Sequence, residues 1–339
     1  MSGLQDFLDC ERERGSFPSG AALVGSGEEV LATGWTGCRA GTLFDLASLT
    51  KVLATARAGA LALREGLEWD RRVGDYLPDF RRTRFEDLRV RSLATHTSGL
   101  PSWRPLYASG FGAAAYRETL ARLEPESRPG AAVLYSDLGT LVFGEILEAV
   151  LSDPLDRIFG SEIAPAAGAG ARFGPIPAEQ DVAPTEEGNR YEKALCESLG
   201  IAFDGFRNEL IRGEVHDGNA FYRGGVAAHA GLFGTAEDVW KLTRPWLTQG
   251  REFLIDQTPG LPESRGLFWQ RKRGAGSAID DFGENTFGHT GFTGTSVWAD
   301  PGRERIYVLL TNRVHPEVKP GDFHEVRRRF HRAAIDLGV

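Results

Sequence analysis

Strand patterns occur at both ends of this chain, whereas the long stretch between them is mainly helical. Each end carries two apolar runs joined by a turn signal, Ser26-Gly27-Glu28 in the first pair and Asp300-Pro301-Gly302-Arg303 in the second. The four predicted strands are residues 20–25, 30–35, 295–299 and 305–311. Because strands need partners, we expect the two ends of the chain to meet in one sheet. The sequence therefore predicts an α+β fold, in which a central antiparallel sheet is flanked by helices and interrupted by a mainly helical insertion.

The chain is expected to form two subdomains around that sheet. Residues 1–66 and 226–339 would form the sheet subdomain and residues 67–225 the mainly helical one, with the active site at their junction. Apolar spacing predicts helices over residues 4–11, 48–64, 322–337 and, in several pieces, 70–150. The Gly-, Pro- and Ala-rich stretch 154–190 is interpreted as a long ordered loop that crosses the surface.

Composition argues against several functional classes. The formal net charge of −8 disfavours a nucleic-acid or anionic-membrane partner, and Arg327–Arg329 is interpreted as a solvated helix face. The three cysteines are scattered, which predicts neither a disulfide framework nor a zinc site. The acidic segment 1–9 lacks the apolar core of a signal peptide, and no run approaches the about 18 apolar residues of a membrane span. We expect a cytoplasmic protein without membrane insertion, metal or cofactor.

Ser48 and Lys51 lie three residues apart at the predicted start of a helix. Only five of the 39 basic residues are lysine, so Lys51 stands where this chain usually has arginine. Residues i and i+3 share one face of a helix, which lets the two side chains touch. Lysine can lose its proton when it is desolvated, whereas arginine effectively cannot. An amine beside a hydroxyl is one way to make a serine nucleophilic; the alternative is a chance coincidence of two residues.

Further stretches combine polar side chains with glycine. His96 lies in a predicted helix end that is followed by a Gly-Pro turn. Tyr135-Ser136-Asp137 precedes a predicted helix, where Asp137 could be a simple N-cap. The segments 224–235 and 287–295 are rich in glycine, and in the second, which contains His289, small residues would let a substrate approach the backbone.

Three of these motifs together carry a family resemblance. Ser48-x-x-Lys51, Tyr135-Ser136-Asp137 and His289-Thr290-Gly291 resemble the signature motifs of the serine β-lactamase and penicillin-binding-protein superfamily. Four surrounding segments resemble its class C-like branch, which includes family VIII carboxylesterases and bacterial β-lactamase-related serine hydrolases. These segments are Asp45–Lys51, Thr95–Pro101, Gly213–Ala220 and Gly288–Thr295. The resemblance covers the chain from about residue 15 onward and implies the β-lactamase/transpeptidase-like fold.

The resemblance also implies a role for each motif residue. Ser48 would attack a carbonyl carbon and form an acyl-enzyme. His289 of the third motif is a further candidate catalytic residue; the alternative is a hydrogen-bonded structural histidine on the wall of the site. Lys51 and Tyr135 would act as a general-base pair, and the sequence does not decide which of them loses its proton. The family's oxyanion hole maps onto the backbone N–H groups of Ser48 and Phe292.

Two motif positions depart from the family's pattern. His289 stands where β-lactamases usually have lysine, and histidine is charged only part of the time near neutral pH, which favours neutral or weakly charged acyl substrates. Asp137 stands where asparagine is common. Its carboxylate could hold Lys51 protonated, or it could cap the helix. The chain has no Gly-x-Ser-x-Gly elbow, which excludes an α/β-hydrolase lipase.

Asp137, Gly291 and several aromatic residues are candidates for the substrate pocket. The aromatic candidates, each of which could instead pack in the core, are Trp103, Tyr107, Phe221 and Trp298. His216, Asp217 and His229 match no standard metal-site spacing, so we expect them to have structural roles.

The function favoured by the sequence is a serine hydrolase that cleaves carboxylic esters through an acyl-enzyme on Ser48. An amide-directed alternative is a β-lactamase or a D-amino-acid-specific peptidase. A second alternative is a catalytically silent binding protein of the same fold, although the intact Ser48, Lys51 and Tyr135 argue against it. In each case the expected partner is a small molecule; the sequence indicates neither the natural substrate nor the oligomeric state.

Overall fold

The computed structural model of the protein describes residues 3–319 and 321–338, so the outermost residues of the predicted sheet subdomain, 1, 2 and 339, lie outside the described residues. The strands are β1 (Gly20–Gly25), β2 (Val30–Thr36), β3 (Phe44–Asp45), β4 (Arg172–Phe173), β5 (Leu232–Gly234), β6 (Gln270–Arg271), β7 (Phe287–Thr290), β8 (Ser296–Asp300) and β9 (Arg305–Thr311). The α-helices are α1 (Gly3–Glu13), α2 (Ala56–Ala62), α3 (Val73–Tyr76), α4 (Val90–Ala94), α5 (Gly112–Arg122), α6 (Asp137–Leu151), α7 (Leu155–Ile158), α8 (Ala164–Ala167), α9 (Arg190–Ser198), α10 (Gly218–Phe221), α11 (Ala236–Thr243), α12 (Arg251–Leu254) and α13 (His324–Ile335).

The two ends of the chain build the main sheet. Its six strands follow the order β2-β1-β9-β8-β7-β6, and each neighbouring pair is antiparallel. The first hairpin joins the last strand directly, with Gly20 opposite Thr311 and Gly25 opposite Ile306. The predicted α+β fold with a sheet assembled from both termini is confirmed.

Each face of this sheet packs against helices. Alternate residues of a strand point to opposite faces. In β1, Ala22 and Val24 pack in an outer cluster with residues of α1 and α13, such as Leu8 and Phe330. Leu23 packs on the other face, in the larger core that the sheet shares with the helical region. None of the helices in the described ranges is long and apolar enough to cross a bilayer.

Two details of the predicted elements are wrong. The stretch 154–190, interpreted as loop, contains α7 and α8, joined by a π-helical turn over Phe159–Ile163. Its apolar residues Leu155, Ile158, Phe159 and Ile163 recur at helical spacing and are buried, which outweighs the Gly- and Ala-rich composition. Arg327, interpreted as part of a solvated face, is buried, with 4% of its surface exposed.

A small second sheet positions the segment that contains Ser48. Its order is β3-β5-β4, with Phe44 opposite Gly234 and Asp45 opposite Phe233. Just after β3 the Leu46 N–H donates to the Leu232 carbonyl over 2.9 Å. The chain therefore enters the following helical turns from a fixed point at the edge of the larger sheet.

Candidate active site

Ser48 lies in a tight helical turn between β3 and α2. The turn begins as 3₁₀-helix over Ala47–Leu49 and continues as a π-helical turn over Lys51–Thr55 before it becomes α2. Ala47 has φ of 47°, a left-handed conformation that is rare for residues other than glycine. Its N–H donates to Asp45 Oδ1 over 2.8 Å, which supports this strained conformation.

The Ser48 hydroxyl lies between Lys51 and Tyr135. Lys51 Nζ is 2.9 Å from Ser48 Oγ, and the Tyr135 hydroxyl is 2.8 Å from the same oxygen. Lys51 is fully buried and also donates to the His229 carbonyl over 3.0 Å. The structure therefore brings the three residues of the first two motifs within hydrogen-bonding distance of one hydroxyl oxygen.

Asp137 pairs with Lys51 and is not the helix cap. Its Oδ1 lies 2.7 Å from Lys51 Nζ. The N-cap of α6 is Ser136, whose hydroxyl accepts from the Gly139 N–H and donates to the Pro101 carbonyl. Of the two roles that the sequence left open for Asp137, the structure shows the contact with lysine.

The Asp137 carboxylate also determines the protonation of the pair. Burial alone would lower the pKa of Lys51, but Asp137 and Tyr135 outweigh it, so that its pKa is raised. Burial and Asp137 raise the pKa of Tyr135, and the nearby Lys51 opposes them only in part. At rest, Lys51 is therefore an ammonium and Tyr135 a neutral phenol.

Two neutral histidines flank the Tyr135 ring. The His96 and His289 ring centroids lie 4.6 and 5.9 Å from that of Tyr135. Burial and the nearby cations Arg265 and Lys51 hold the pKa of both histidines well below the usual range. His289 Nδ1 lies 2.8 Å from the Thr290 carbonyl and donates to it, so its Nε2 carries no proton.

The turn after β7 packs against the turn around Ala47–Leu49, which contains the candidate nucleophile Ser48 and is called the nucleophile turn below. The Thr293 hydroxyl donates to the Asp45 carbonyl over 2.8 Å, and the Thr295 hydroxyl donates to the Leu46 carbonyl over 3.0 Å. A Cβ added at Gly291 would lie 2.7 Å from the Leu46 oxygen and 2.1 Å from Thr295 Oγ1. Glycine at this position therefore lets the two backbones approach each other.

Arg327 holds the peptide bond that presents the Phe292 N–H. Its Nη2 donates to the Gly291 carbonyl over 2.8 Å and to the Thr295 carbonyl over 3.1 Å. In a trans peptide the C=O and the next N–H point in opposite directions. The Phe292 N–H therefore points away from Arg327, and within the described ranges it has no hydrogen-bond partner.

A cavity of about 200 Å³ opens beside Ser48. It lies where the nucleophile turn, the start of α6 and the segments around α9 and α10 meet. Its lining residues are Asp45, Ala47, Ser48, Trp103, Asp137, Tyr191, Glu192, Leu195, His216, Asp217, His229, Ala230 and Phe292. Among these described residues there is neither a lysine nor an arginine.

A family comparison matches almost the whole chain. The profile described as Beta-lactamase matches residues 4–329. The chain belongs to the beta-lactamase family. It is accordingly a hydrolase with the β-lactamase/transpeptidase fold, as the sequence motifs predict.

This beta-lactamase-family hydrolase is similar in sequence to curated proteins and in fold to solved structures. It is 32% identical over 312 residues to a putative D-alanyl-D-alanine carboxypeptidase of Escherichia coli K12, covering 82% of this chain and 70% of the relative. It is 31% identical over 324 residues to an N-acetylmuramyl-L-alanine amidase of Bacillus subtilis 168, covering 83% and 71%. In fold it resembles EstCE1, a hydrolase with promiscuous acyltransferase activity, with a TM-score of 0.72, 19% identity and 97% of both chains covered. A class C beta-lactamase superposes with a TM-score of 0.73 at 16% identity, covering 97% of this chain and 95% of the other.

Some of the predicted pocket residues of this beta-lactamase-family protein line the cavity, and others lie outside it. Trp103 and Asp137 line the cavity, as does Phe292. Gly291 packs against the nucleophile turn. Tyr107 lies behind the cavity wall, where its hydroxyl donates to Glu192 over 2.8 Å.

The other two aromatic candidates have packing roles. Phe221 packs against the Arg207 guanidinium, 4.0 Å from its ring centroid. Trp298 is fully buried on the outer face of the sheet, beside Phe282 and His331. Both therefore belong to the alternative that the sequence left open, in which aromatic residues pack in the core.

Sequence reasoning missed the polar residues of the cavity wall. His216 and His229 were expected to have structural roles, and each indeed contacts a carboxylate: His216 Nε2 lies 3.0 Å from Glu186 Oε2, and His229 Nε2 lies 2.8 Å from Asp217 Oδ1. Yet both also line the cavity, together with Glu192. The available signal was the segment Gly213–Ala220, which resembles the class C-like branch outside the catalytic motifs.

Proposed function

We propose that the protein is a serine hydrolase that cleaves carboxylic esters through an acyl-enzyme on Ser48. The observation that carries this proposal is the contact of Ser48 Oγ with both Lys51 Nζ, at 2.9 Å, and the Tyr135 hydroxyl, at 2.8 Å. A silent binding protein has no need for a buried lysine beside a serine hydroxyl. This arrangement favours an enzyme over the binding alternative.

Acylation begins with the transfer of the Ser48 proton to the Lys51–Tyr135 pair. Ser48 Oγ then forms a bond to the carbonyl carbon, and the carbonyl oxygen becomes an oxyanion. The N–H groups of Ser48 and Phe292 stabilise this negative charge. When the tetrahedral intermediate collapses, the pair returns a proton to the departing alkoxide, and the alcohol leaves.

Deacylation repeats these steps with water as the nucleophile. The same pair takes a proton from water, the hydroxide adds to the acyl carbon, and Ser48 Oγ leaves with a proton from the pair. Because the raised pKa values keep both Lys51 and Tyr135 protonated at rest, the pair acts as a base after it loses one proton. Asp137 keeps the Lys51 ammonium beside the reacting oxygen.

The charge of the site favours substrates without a carboxylate. The third motif supplies His289, which is neutral and buried, with 1% exposed, in place of an ammonium. The described residues that line the cavity include four carboxylates and no arginine or lysine. Lys51 and His216 are already paired with the carboxylates of Asp137 and Glu186, so a substrate carboxylate would find no unpaired cation in the wall, which argues against a β-lactam or a peptide C-terminus.

Amide hydrolysis is the second candidate function. The curated relatives that are 31–32% identical are named as a putative carboxypeptidase and an amidase. An amine leaving group needs a proton more than an alcohol does. The Lys51 ammonium, 2.9 Å from Ser48 Oγ, is placed to supply it.

A fluorophosphonate probe tests the acyl-enzyme step. The wild type should be labelled at Ser48, and labelling should fall at least about 100-fold in Ser48→Ala and Lys51→Ala. Ser161→Ala, which changes an exposed serine outside the site, is the matched control and should label normally. An unlabelled wild type would support the silent binding protein.

A substrate comparison then tests ester specificity. We expect p-nitrophenyl butyrate to be hydrolysed with a higher kcat/KM than nitrocefin, a β-lactam that carries a carboxylate. Efficient turnover of nitrocefin without turnover of esters would overturn the ester assignment while leaving the Ser48 nucleophile intact.

A further inference from the structure

The four carboxylates around the cavity do not have equivalent partners. Asp137 pairs with the Lys51 ammonium. Asp45 accepts the Ala47 N–H on one oxygen and the His216 N–H on the other, at 2.8 and 2.7 Å. Groups of the protein therefore already bind these two carboxylates. The carboxylates that remain available to a ligand are those of Glu192 and Asp217.

Glu192 and Asp217 have no basic side chain as an ion-pair partner other than histidine, among the described residues. Glu192 accepts from the Gly218 N–H and from the Tyr107 hydroxyl, both at 2.8 Å. Asp217 Oδ1 accepts from the Ala220 N–H at 2.8 Å and faces His229. Asp217 Oδ2 makes no hydrogen bond with the described residues, so this oxygen is available to a ligand.

The two carboxylates also repel each other. Burial favours the neutral form of Asp217, but His229 and the Ala220 N–H outweigh it and lower the pKa of Asp217 to about 2. Burial and the negative charge of Asp217 raise the pKa of Glu192 to about 7. A cation bound between them would relieve this repulsion.

The residues behind the wall do not supply that cation. The Arg207 guanidinium donates to the carbonyls of Val215 and His216, and it does not line the cavity. Burial lowers the pKa of His216, but the Glu186 carboxylate outweighs it and raises the pKa, and that same carboxylate balances the charge of His216.

An unpaired ring nitrogen lies in the same wall. His229 is buried, with 1% exposed, and it lines the cavity. Its Nε2 lies 2.8 Å from Asp217 Oδ1, and its Nδ1 has no partner among the described residues. In the neutral form of His229 this nitrogen is an acceptor, and an ammonium ligand, which brings both a positive charge and N–H donors, favours that form. Two aromatic side chains at the cavity, Trp103 and Tyr191, add rings that attract cations.

We propose that the cavity recognises substrates that carry a positively charged amine, with Asp217 and Glu192 as the counter-ions. This inference rests on the proposed hydrolase function and names its substrate class. A glycine completes the site: a Cβ added at Gly218 would lie 2.2 Å from Glu192 Oε2, so only glycine lets the Glu192 carboxylate sit against this backbone.

Isosteric esters of different charge test the proposal. Ethyl β-alaninate is cationic, ethyl butyrate is neutral and monoethyl succinate is anionic, and all three contain the same ester group. Acetylcholine and its neutral isostere 3,3-dimethylbutyl acetate place the charge in the alcohol instead. We expect kcat/KM to be at least about tenfold higher for the cation in one of the two series, and lowest for the anion.

Two further measurements test whether the charge of the cavity carboxylates causes the preference for cations. In wild-type protein, kcat/KM for the preferred cation should fall as salt concentration rises, while kcat/KM for the neutral ester should not. Asp217→Asn and Glu192→Gln should each reduce the cation-to-neutral ratio, whereas Asp87→Asn, an exposed control, should keep it. The salt series needs no variant, so it tests electrostatic attraction of the cation even where a variant fails to fold, and the variants assign that attraction to Asp217 and Glu192.

The outcomes are distinguishable from those of the proposed function. If neutral esters are hydrolysed while cations have no advantage in either series, the cation proposal is wrong and the hydrolase stands. If no ester is hydrolysed and no probe labels Ser48, the hydrolase proposal itself fails.

Discussion

Lys51 Nζ lies 2.7 Å from Asp137 Oδ1 and 2.9 Å from Ser48 Oγ, so a carboxylate holds the ammonium beside the nucleophile. An asparagine at position 137 would offer the lysine a neutral oxygen instead. The difference of one charge beside the general-base pair makes the pH dependence of the reaction the most direct test of the arrangement.

Asp137→Asn should shift the rising limb of the pH profile to lower pH. The Asp137 charge raises the pKa of both Lys51 and Tyr135, and the active pair has lost one proton, so kcat/KM rises as pH rises. Removing the charge lowers both pKa values, and the active form then appears at lower pH. The measurement is kcat/KM for a neutral ester across pH.

The control for this profile is Asp153→Asn, which changes a carboxylate that pairs with Arg157 on the surface. It should leave the profile in place. If the rising limb of kcat/KM in Asp137→Asn lies at the same pH as in the wild type, or at higher pH, the proposed effect of Asp137 on the Lys51–Tyr135 pair is wrong.

Arg327→Met should lower kcat more than it raises KM. Arg327 donates to the Gly291 and Thr295 carbonyls and thereby orients the Phe292 N–H, and one oxyanion-hole donor is worth about 10²–10³ in rate. We expect at least a tenfold loss in kcat, with partial rescue in Arg327→Lys. Arg328→Met, the neighbouring position on α13, should retain kcat.

The same substitution should also destabilise the protein by about 1–3 kcal/mol, because the Gly291 and Thr295 carbonyls each lose one of two donors and keep only a backbone N–H. Urea unfolding measures this loss. Wild-type kcat in a folded Arg327→Met protein would show that the turn keeps its geometry without the guanidinium.

Gly291→Ala should reduce esterase activity about 100-fold. The new Cβ would come within 2.1 Å of Thr295 Oγ1 and 2.7 Å of the Leu46 carbonyl, and displacing this turn by about 1 Å misplaces the oxyanion donor. Gly41→Ala is the matched control, because a Cβ there meets no atom within 4 Å. Equal activity of the two variants would exclude the tight approach seen at Gly291.

Thr235→Ala should cost stability without changing kcat/KM. The Thr235 hydroxyl accepts from the Asp238 N–H, and the Asp238 carboxylate accepts from the Thr235 N–H, which together form a capping box on α11. Loss of an N-cap typically costs about 1 kcal/mol. Chemical denaturation and ester kinetics on the same preparation check both halves of this expectation.

The sequence predicted the parts of the fold and site that depend on local patterns. The four main strands were visible because apolar runs and turn residues lie side by side in the chain, and the meeting of the ends followed from the need of strands for partners. The Ser-x-x-Lys spacing indicated Ser48 and Lys51, and the family resemblance added Tyr135; the structure places the Lys51 amine and the Tyr135 hydroxyl against the Ser48 hydroxyl.

Contacts between distant segments that neither a strand pattern nor a family motif indicates could not be predicted from the sequence. Arg327 looks like a surface residue in a run of arginines, and only the docking of α13 against the turn after β7 reveals that its guanidinium is buried. Likewise, Glu192 and Asp217 face one cavity because Tyr107, from another segment, holds the first and His229 the second. No local periodicity encodes such pairings.

The pairing of β1 with β9 has a consequence for synthesis of the protein. Gly25 and Ile306 are opposite each other in the sheet although they are made far apart in time on the ribosome. One edge of the first hairpin therefore stays unpaired until β9, the strand that pairs with it, has emerged. Hydrolytic activity can appear only after translation of the last strand, and a nascent chain that stalls earlier exposes an aggregation-prone strand edge to chaperones and proteases.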